Sequence, residues 1–150
     1  MKILLTVWIA TCIAALSLNA EAGKALSKRP VDEAAIKAQL DAYAAARVAG
    51  PGMPQALFYT EDADEWGSFA KEMTVGREAL AKTLDVKPDP NRKFRLEVIS
   101  LNFLGKDIAL ADALYYGASP EPGGHALYVM AKRDGKWLIR SARINRMPAK

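Results

Sequence analysis

Cysteine is all but missing from this chain. Cys12 is the sole cysteine among 150 residues, and it lies in the first, apolar segment. From Gly23 onward there is neither a disulfide nor a thiol nucleophile, so an oxidising compartment is tolerated and not exploited. Histidine is as scarce, with His125 alone. One histidine without cysteine excludes the common zinc ligand sets, and no metal is expected. There is no glycine-rich phosphate loop, so no nucleotide cofactor is expected either. Internal repeats and low-complexity tracts are absent too.

The one long apolar run is N-terminal. Met1 and Lys2 form a minimal positive start, and Ile3 to Leu18 is uncharged and mostly apolar. Ala20 and Ala22 then provide the small residues that signal peptidase needs just before Gly23. The expectation is a cleavable signal peptide over 1–22, a basic spacer over 23–30 and one domain over 31–147, periplasmic or secreted. An uncleaved anchor is the competing reading. Thr6, Thr11, Ser17 and Asn19 dilute the run and no basic stop follows it, so no stable membrane anchor is expected after cleavage. Net charge is +4 with a pI near 9.2. The basic residues gather at Lys24, Lys28 and Arg29, at Arg92, Lys93 and Arg95, and along the tail from Arg140. They read as a solvated face able to attract acidic ligands. No stacking residues alternate with them, and nucleic acid is not an expected partner.

Pro30 and Asp32 open a helix, with Asp32 as its N-cap and Glu33 near the positive dipole end. Ile36, Leu40, Tyr43 and Arg47 recur at helical spacing until Gly50-Pro51-Gly52 stops the helix. A second short helix is expected around Pro54 to Tyr59. Thr60 to Ser68 is too polar for a core helix and reads as a loop entering a short strand. Gly76 to Leu80 starts a third helix ending near Asp85. Beyond Asn91 the period falls to two. Phe94, Leu96 and Val98 share a face, then parity slips to Ile99, Leu101 and Phe103, which marks a bulge in a bent strand. Further strands follow at 108–117, 126–133 and 136–144, the last two joined by the hairpin signal Asp134-Gly135. Four strands so joined pair antiparallel in chain order. Helices followed by a meander make an α+β fold, with the helices on the concave face of a curved antiparallel sheet and a cavity at its open end.

The helix carrying Tyr43, then Ala56-Leu57-Phe58-Tyr59-Thr60-Glu61-Asp62-Ala63, then Gly76-Arg77-Glu78-Ala79-Leu80, then Asp134-Gly135-Lys136-Trp137-Leu138-Ile139 come in a telling order. In that order they resemble the nuclear transport factor 2-like superfamily, and within it the SnoaL-like and ketosteroid-isomerase-like bacterial proteins. The resemblance covers about residues 31 to 146 and implies a cone-shaped, cystatin-like fold. That superfamily holds isomerases, dehydratases, cyclases and binding proteins, so the resemblance does not assign chemistry. Tyr43 falls where the ketosteroid isomerases place the tyrosine that hydrogen-bonds a substrate oxyanion. Their catalytic aspartate falls at about Gly67, which takes no proton, and their second oxyanion-hole acid has no counterpart near Leu127 or Tyr128. The resemblance thus implies steroid isomerisation only if Asp64 or Glu65 points into the cavity.

Strand alternation sends one of Asp64 and Glu65 inward. That residue is the candidate general base, and otherwise the acidic run is a solvated turn. His125 is a second candidate acid or base, with Asp112 as a cross-strand partner. For ligand binding the candidates are Tyr43 as donor to a carbonyl, Trp66 at the pocket mouth, Tyr116, Tyr128 and Arg143. One of Tyr115 and Tyr116 must face the concave side. Arg143 clamps a ligand carboxylate or else pairs with Asp112 or Glu97. Three functions stay open. The first is an exported homodimeric pocket domain for a small, partly apolar ligand. The second is an acid/base enzyme of the isomerase or dehydratase type. The third is a protein-interaction module docking through the outer sheet face.

Overall fold

A computed structural model describes residues 29–148. The signal peptide expected over 1–22, Cys12 and the spacer up to residue 28 lie outside the described residues.

Pro30 takes the first position of helix α1 (Pro30–Ala49), where its missing N–H has no helical acceptor to lose. Arg29, not Asp32, is the capping residue, and it makes no side-chain cap. Asp32 lies inside the first turn because Pro30 starts the helix earlier. Its carboxylate accepts from Lys132 Nζ and Trp137 Nε1, each at 2.8 Å, and from Arg29 Nη2 at 2.6 Å. These bonds tie the start of α1 to a distant hairpin, and with Lys132 foremost they hold the Asp32 carboxyl well below the usual range. Ile36, Leu40, Tyr43 and Ala44 form the buried stripe of α1. Full burial of an Ile or Leu contributes about 1.5–3 kcal/mol.

Helix α2 (Gly52–Ala56) starts before the expected Pro54 because Gly52 is jammed against α3 (Arg77–Leu84). A Cβ at Gly52 would stand 1.8 Å from the Ala81 carbonyl oxygen and 2.8 Å from the Asp85 nitrogen. Buried Gln55 reinforces the junction, its Nε2 shared among the carbonyls of Gly50, Pro51 and Leu84.

The polar run expected as a loop entering a short strand is strand from its start, β1 (Tyr59–Trp66). It pairs antiparallel with the two-residue β2 (Thr74–Val75) and parallel with β6 (Lys136–Arg146). The remaining strands are β3 (Arg95–Phe103), β4 (Ile108–Tyr116) and β5 (Gly124–Arg133). Sheet order is β2-β1-β6-β5-β4-β3, so β3 to β6 form the expected antiparallel meander and β1 extends it into a mixed sheet. Asp134 and Gly135 have φ of 49° and 79°, the left-handed pair that a two-residue hairpin turn requires.

Three register shifts bend the sheet, one of them in β1 between Tyr59 and Asp64 where it runs along β6. In β3 the register shifts between Val98 and Ser100, which throws Ile99 outward, 53% exposed, rather than onto the face of Leu101 and Phe103. In β6 Arg140 is the extra residue, falling between Ile139 and Ser141, the partners of Met130 and Val129. The concave face is paved with Ala63, Ala109, Ala111, Ala113, Ala126 and Ala142, all fully buried. Small residues there leave room for the large side chains of α1 to settle into the curve.

Candidate functional site

The open end of the cone holds a cavity of about 780 Å³. Tyr43 and Tyr128, both 1% exposed, lie at its depth, and Phe69, 80% exposed, marks its mouth. Phe94, Tyr115 and Ile144 supply apolar wall between them. Arg47 lies over the rings of Phe94 and Tyr43, at 4.9 and 5.8 Å from their centroids. At the mouth Arg146 covers Phe69, 5.2 Å from its ring centre.

A chain of hydrogen bonds runs through the deep end. Arg47 Nη1 donates to the Tyr43 hydroxyl at 3.1 Å, the Tyr43 and Tyr59 hydroxyls lie 2.8 Å apart, and the Tyr59 hydroxyl donates to Glu65 Oε2. A tyrosine has one proton to give. Tyr59 gives its proton to Glu65, so Tyr43 must donate to Tyr59, and every bond points from the guanidinium to the carboxylate. Burial pushes the Tyr43 hydroxyl pKa up and that of Tyr59 well above its usual 10.0. Burial disfavours the Arg47 cation, but its hydrogen bond to the Tyr43 hydroxyl and the nearby Glu65 carboxyl group favour it, and its pKa is raised. Arg47, Tyr43 and Tyr59 therefore rest as a cation and two neutral hydroxyls, the last of them bonded to Glu65.

Glu65 and Tyr128 each bring an uncommitted oxygen to this site among the described residues. Glu65 is 8% exposed and accepts only at Oε2, so Oε1 has no hydrogen-bond partner. The Tyr128 hydroxyl also has none, and burial holds its pKa well above 10.0.

Of the residues singled out from sequence, Tyr43, Tyr128 and Glu65 come together in this cavity. The others lie on the outer face. Asp64 accepts from Arg143 at 2.6 Å, Ser141 at 2.7 Å and Arg140 at 3.0 Å. Burial opposes its ionisation, but these donors prevail and lower its pKa. Arg143 is thereby paired with Asp64 rather than with Asp112, Glu97 or a ligand. Trp66 alternates away from Glu65 and stays 45% exposed outside the pocket. His125 Nε2 meets Asp112 Oδ1 at 3.2 Å, and Ser100 donates to the same carboxylate at 2.9 Å. Tyr116 faces outward under Arg95, with its hydroxyl on Glu97 Oε2 at 2.8 Å, so Tyr115 is the one in the cavity. The signal for that parity was present in β4, where the small inward residues Ala109, Ala111 and Ala113 continue to Tyr115.

Sequence reasoning passed over Tyr59 because it read as the end of a helix. In sequence Arg47 reads only as part of the helical stripe.

No family model matches the chain, and no curated protein does. Solved structures do. A putative scytalone dehydratase from Novosphingobium aromaticivorans superposes with a TM-score of 0.67 at 16% identity, covering 80% of this chain and 87% of that one. A ketosteroid isomerase-like protein from Erwinia carotovora atroseptica gives 0.62 at 16% identity, covering 77% and 96%. A domain of unknown function with a cystatin-like fold from Nostoc punctiforme gives 0.65 at 22% identity, covering 79% and 78%. The chain has the cystatin-like, nuclear transport factor 2-like fold.

Proposed function

We propose that this chain is an exported pocket domain that binds one small, partly apolar molecule, and that Glu65 accepts a polar hydrogen from it. The observation that carries this reading is the free Oε1 of a buried carboxylate facing an aromatic-walled cavity of about 780 Å³. Oε1 is open to the cavity rather than sealed among protein atoms, so a ligand that displaces water there must bring a donor to it. Export rests on the leader. A homodimer would bury the half-covered outer face of Leu110, Leu114, Leu127 and Val129.

A second reading is favoured by the relay. A carboxylate held by Tyr59 and connected to Arg47 is equipped for acid/base work of the isomerase or dehydratase type. Oε1 would take a proton from a ligand C–H bond. It would return that proton at another atom of the same molecule or pass it to a departing hydroxide.

Native mass spectrometry of the purified protein, gentle and then denaturing, should release a bound molecule and give its mass. Glu65→Gln should weaken its rebinding about tenfold. An empty cone across a broad metabolite panel refutes the binding reading. With the ligand in hand, incubation in heavy water separates the two readings. Deuterium entering a carbon position, and lost in Glu65→Gln, establishes the enzyme, whereas tight binding without exchange leaves a binding protein.

A further inference from the structure

Among the described residues, Arg92 Nη1 is the one buried side-chain nitrogen or oxygen with no hydrogen-bond partner. The other end of that guanidinium is satisfied, Nη2 donating to the Lys87 carbonyl at 2.9 Å. An unmade bond at a buried cationic donor costs about 1–3 kcal/mol or more, so its persistence calls for an acceptor. None of the described acidic residues pairs with Arg92 or Lys93. Arg95, the third cation here, is engaged by Glu97 at 3.4 Å and by the Tyr116 ring.

Arg92 borders a hollow of about 500 Å³ together with Val48, Lys93, Phe94, Arg95 and Ser119. The hollow and the cone share Phe94 and the turn at Gly117, Ala118 and Ser119. The carboxylates that line the cone, Glu65 and Glu121, do not line the hollow. One molecule can therefore keep an apolar body against Phe94 and Tyr115 while a charged end reaches the cations.

We propose that this hollow is an anion subsite of the cone. The ligand is an amphipathic anion free in solution, with its apolar body in the cone and one carboxylate, sulfonate or phosphate group on Arg92 and Lys93. The proposal rests on the pocket reading above and narrows its ligand class. Nη1 has no exposed surface of its own, so the Arg92 guanidinium must turn into the hollow to meet such a group; once turned it offers two parallel donors, and Lys93 adds charge.

Two dyes of nearly the same body test it: 1-anilinonaphthalene-8-sulfonate and its uncharged analogue N-phenyl-1-naphthylamine, titrated by fluorescence against the purified protein. The sulfonate should bind about tenfold more tightly, and added salt should shrink that advantage. The double substitution Arg92→Gln with Lys93→Gln should erase the advantage and leave N-phenyl-1-naphthylamine affinity unchanged, while Arg92→Lys should retain part of it. If the uncharged dye binds and the sulfonate gains nothing, or if its gain survives the double substitution, the subsite is refuted and the pocket stands. Should neither dye bind, the pocket and the subsite fall together. Pelleting of the protein on phosphatidylglycerol vesicles, lost in the double variant, would overturn the free-ligand assignment in favour of a bilayer headgroup.

Discussion

Alkali should unfold this protein through three tyrosines. Tyr43, Tyr59 and Tyr128 are 1%, 0% and 1% exposed, and burial is the first cause raising each pKa above 10.0. In the unfolded chain they ionise near the ordinary value. Above about pH 10 the unfolded state therefore holds fewer protons than the folded one, and stability falls as pH rises. Their contribution is fully present below that pH. Each tyrosine removes about 1.4 kcal/mol per pH unit beyond its unfolded pKa, so three remove about 4 kcal/mol by roughly pH 11. A domain stable by about 5–15 kcal/mol feels that loss strongly. The assay follows tyrosinate absorbance and far-ultraviolet circular dichroism together. Three of the five tyrosines should ionise only as the dichroism collapses. Tyr128→Phe gives the control, because its hydroxyl has no partner to lose among the described residues, and it should cut the alkaline slope by about a third. Ionisation of all five with the dichroism intact would mean that solvent reaches the deep end of the cone, and the closed relay would be refuted.

Two further predictions concern the scaffold. Gly52→Ala forces α2 away from the backbone of α3, and it should cost about 3 kcal/mol and lower Tm by about 10 °C; an unchanged Tm would show that the junction yields freely. Asp32 has a lowered pKa, so its contribution is present above its unfolded value of 3.8 and is lost as pH falls below it. Thermal melts from pH 7 to pH 2 should show the acid loss flattened in Asp32→Asn, and an identical acid limb would refute the tether between α1 and the β5–β6 hairpin.

The meander was legible because its signals are local. Period-two patterning marks β3 to β6, Asp134-Gly135 demands a hairpin, and the parity slip at Ile99 shows as a bulge. Of strand β1 only a short end was legible, and its full length was not, for two physical reasons. Its inward side offers only Ala63 and Glu65 past the first residues, so no apolar alternation announces it. Its outward acids are stabilised by Arg140 and Arg143, which lie in a strand more than seventy residues away. Parallel pairing of that kind leaves no mark in a short window of sequence. Once β1 is a strand paired to β6, the choice between Asp64 and Glu65 is settled by which faces those arginines.

The relay also reassigns the role that the resemblance implied for Tyr43. A tyrosine at that position invites the reading of a donor to a ligand oxygen. Here its proton is spent on Tyr59, and its oxygen already accepts from Arg47. To donate to a ligand, Tyr43 would have to abandon Tyr59, leaving the hydroxyl that supports Glu65 short of a donor in a buried site. Tyr128 bears no such obligation among the described residues and lines the same cavity. Beside the relay, the oxygens open to a ligand therefore include the Oε1 acceptor of Glu65 and the hydroxyl donor of Tyr128. A molecule that brings one donor and one acceptor on an apolar frame satisfies both, whereas a hydrocarbon would seal an unpaired carboxylate oxygen in a dry pocket. On the binding function proposed above, size and aromatic walls admit many molecules to this cone, and that pair of atoms selects among them.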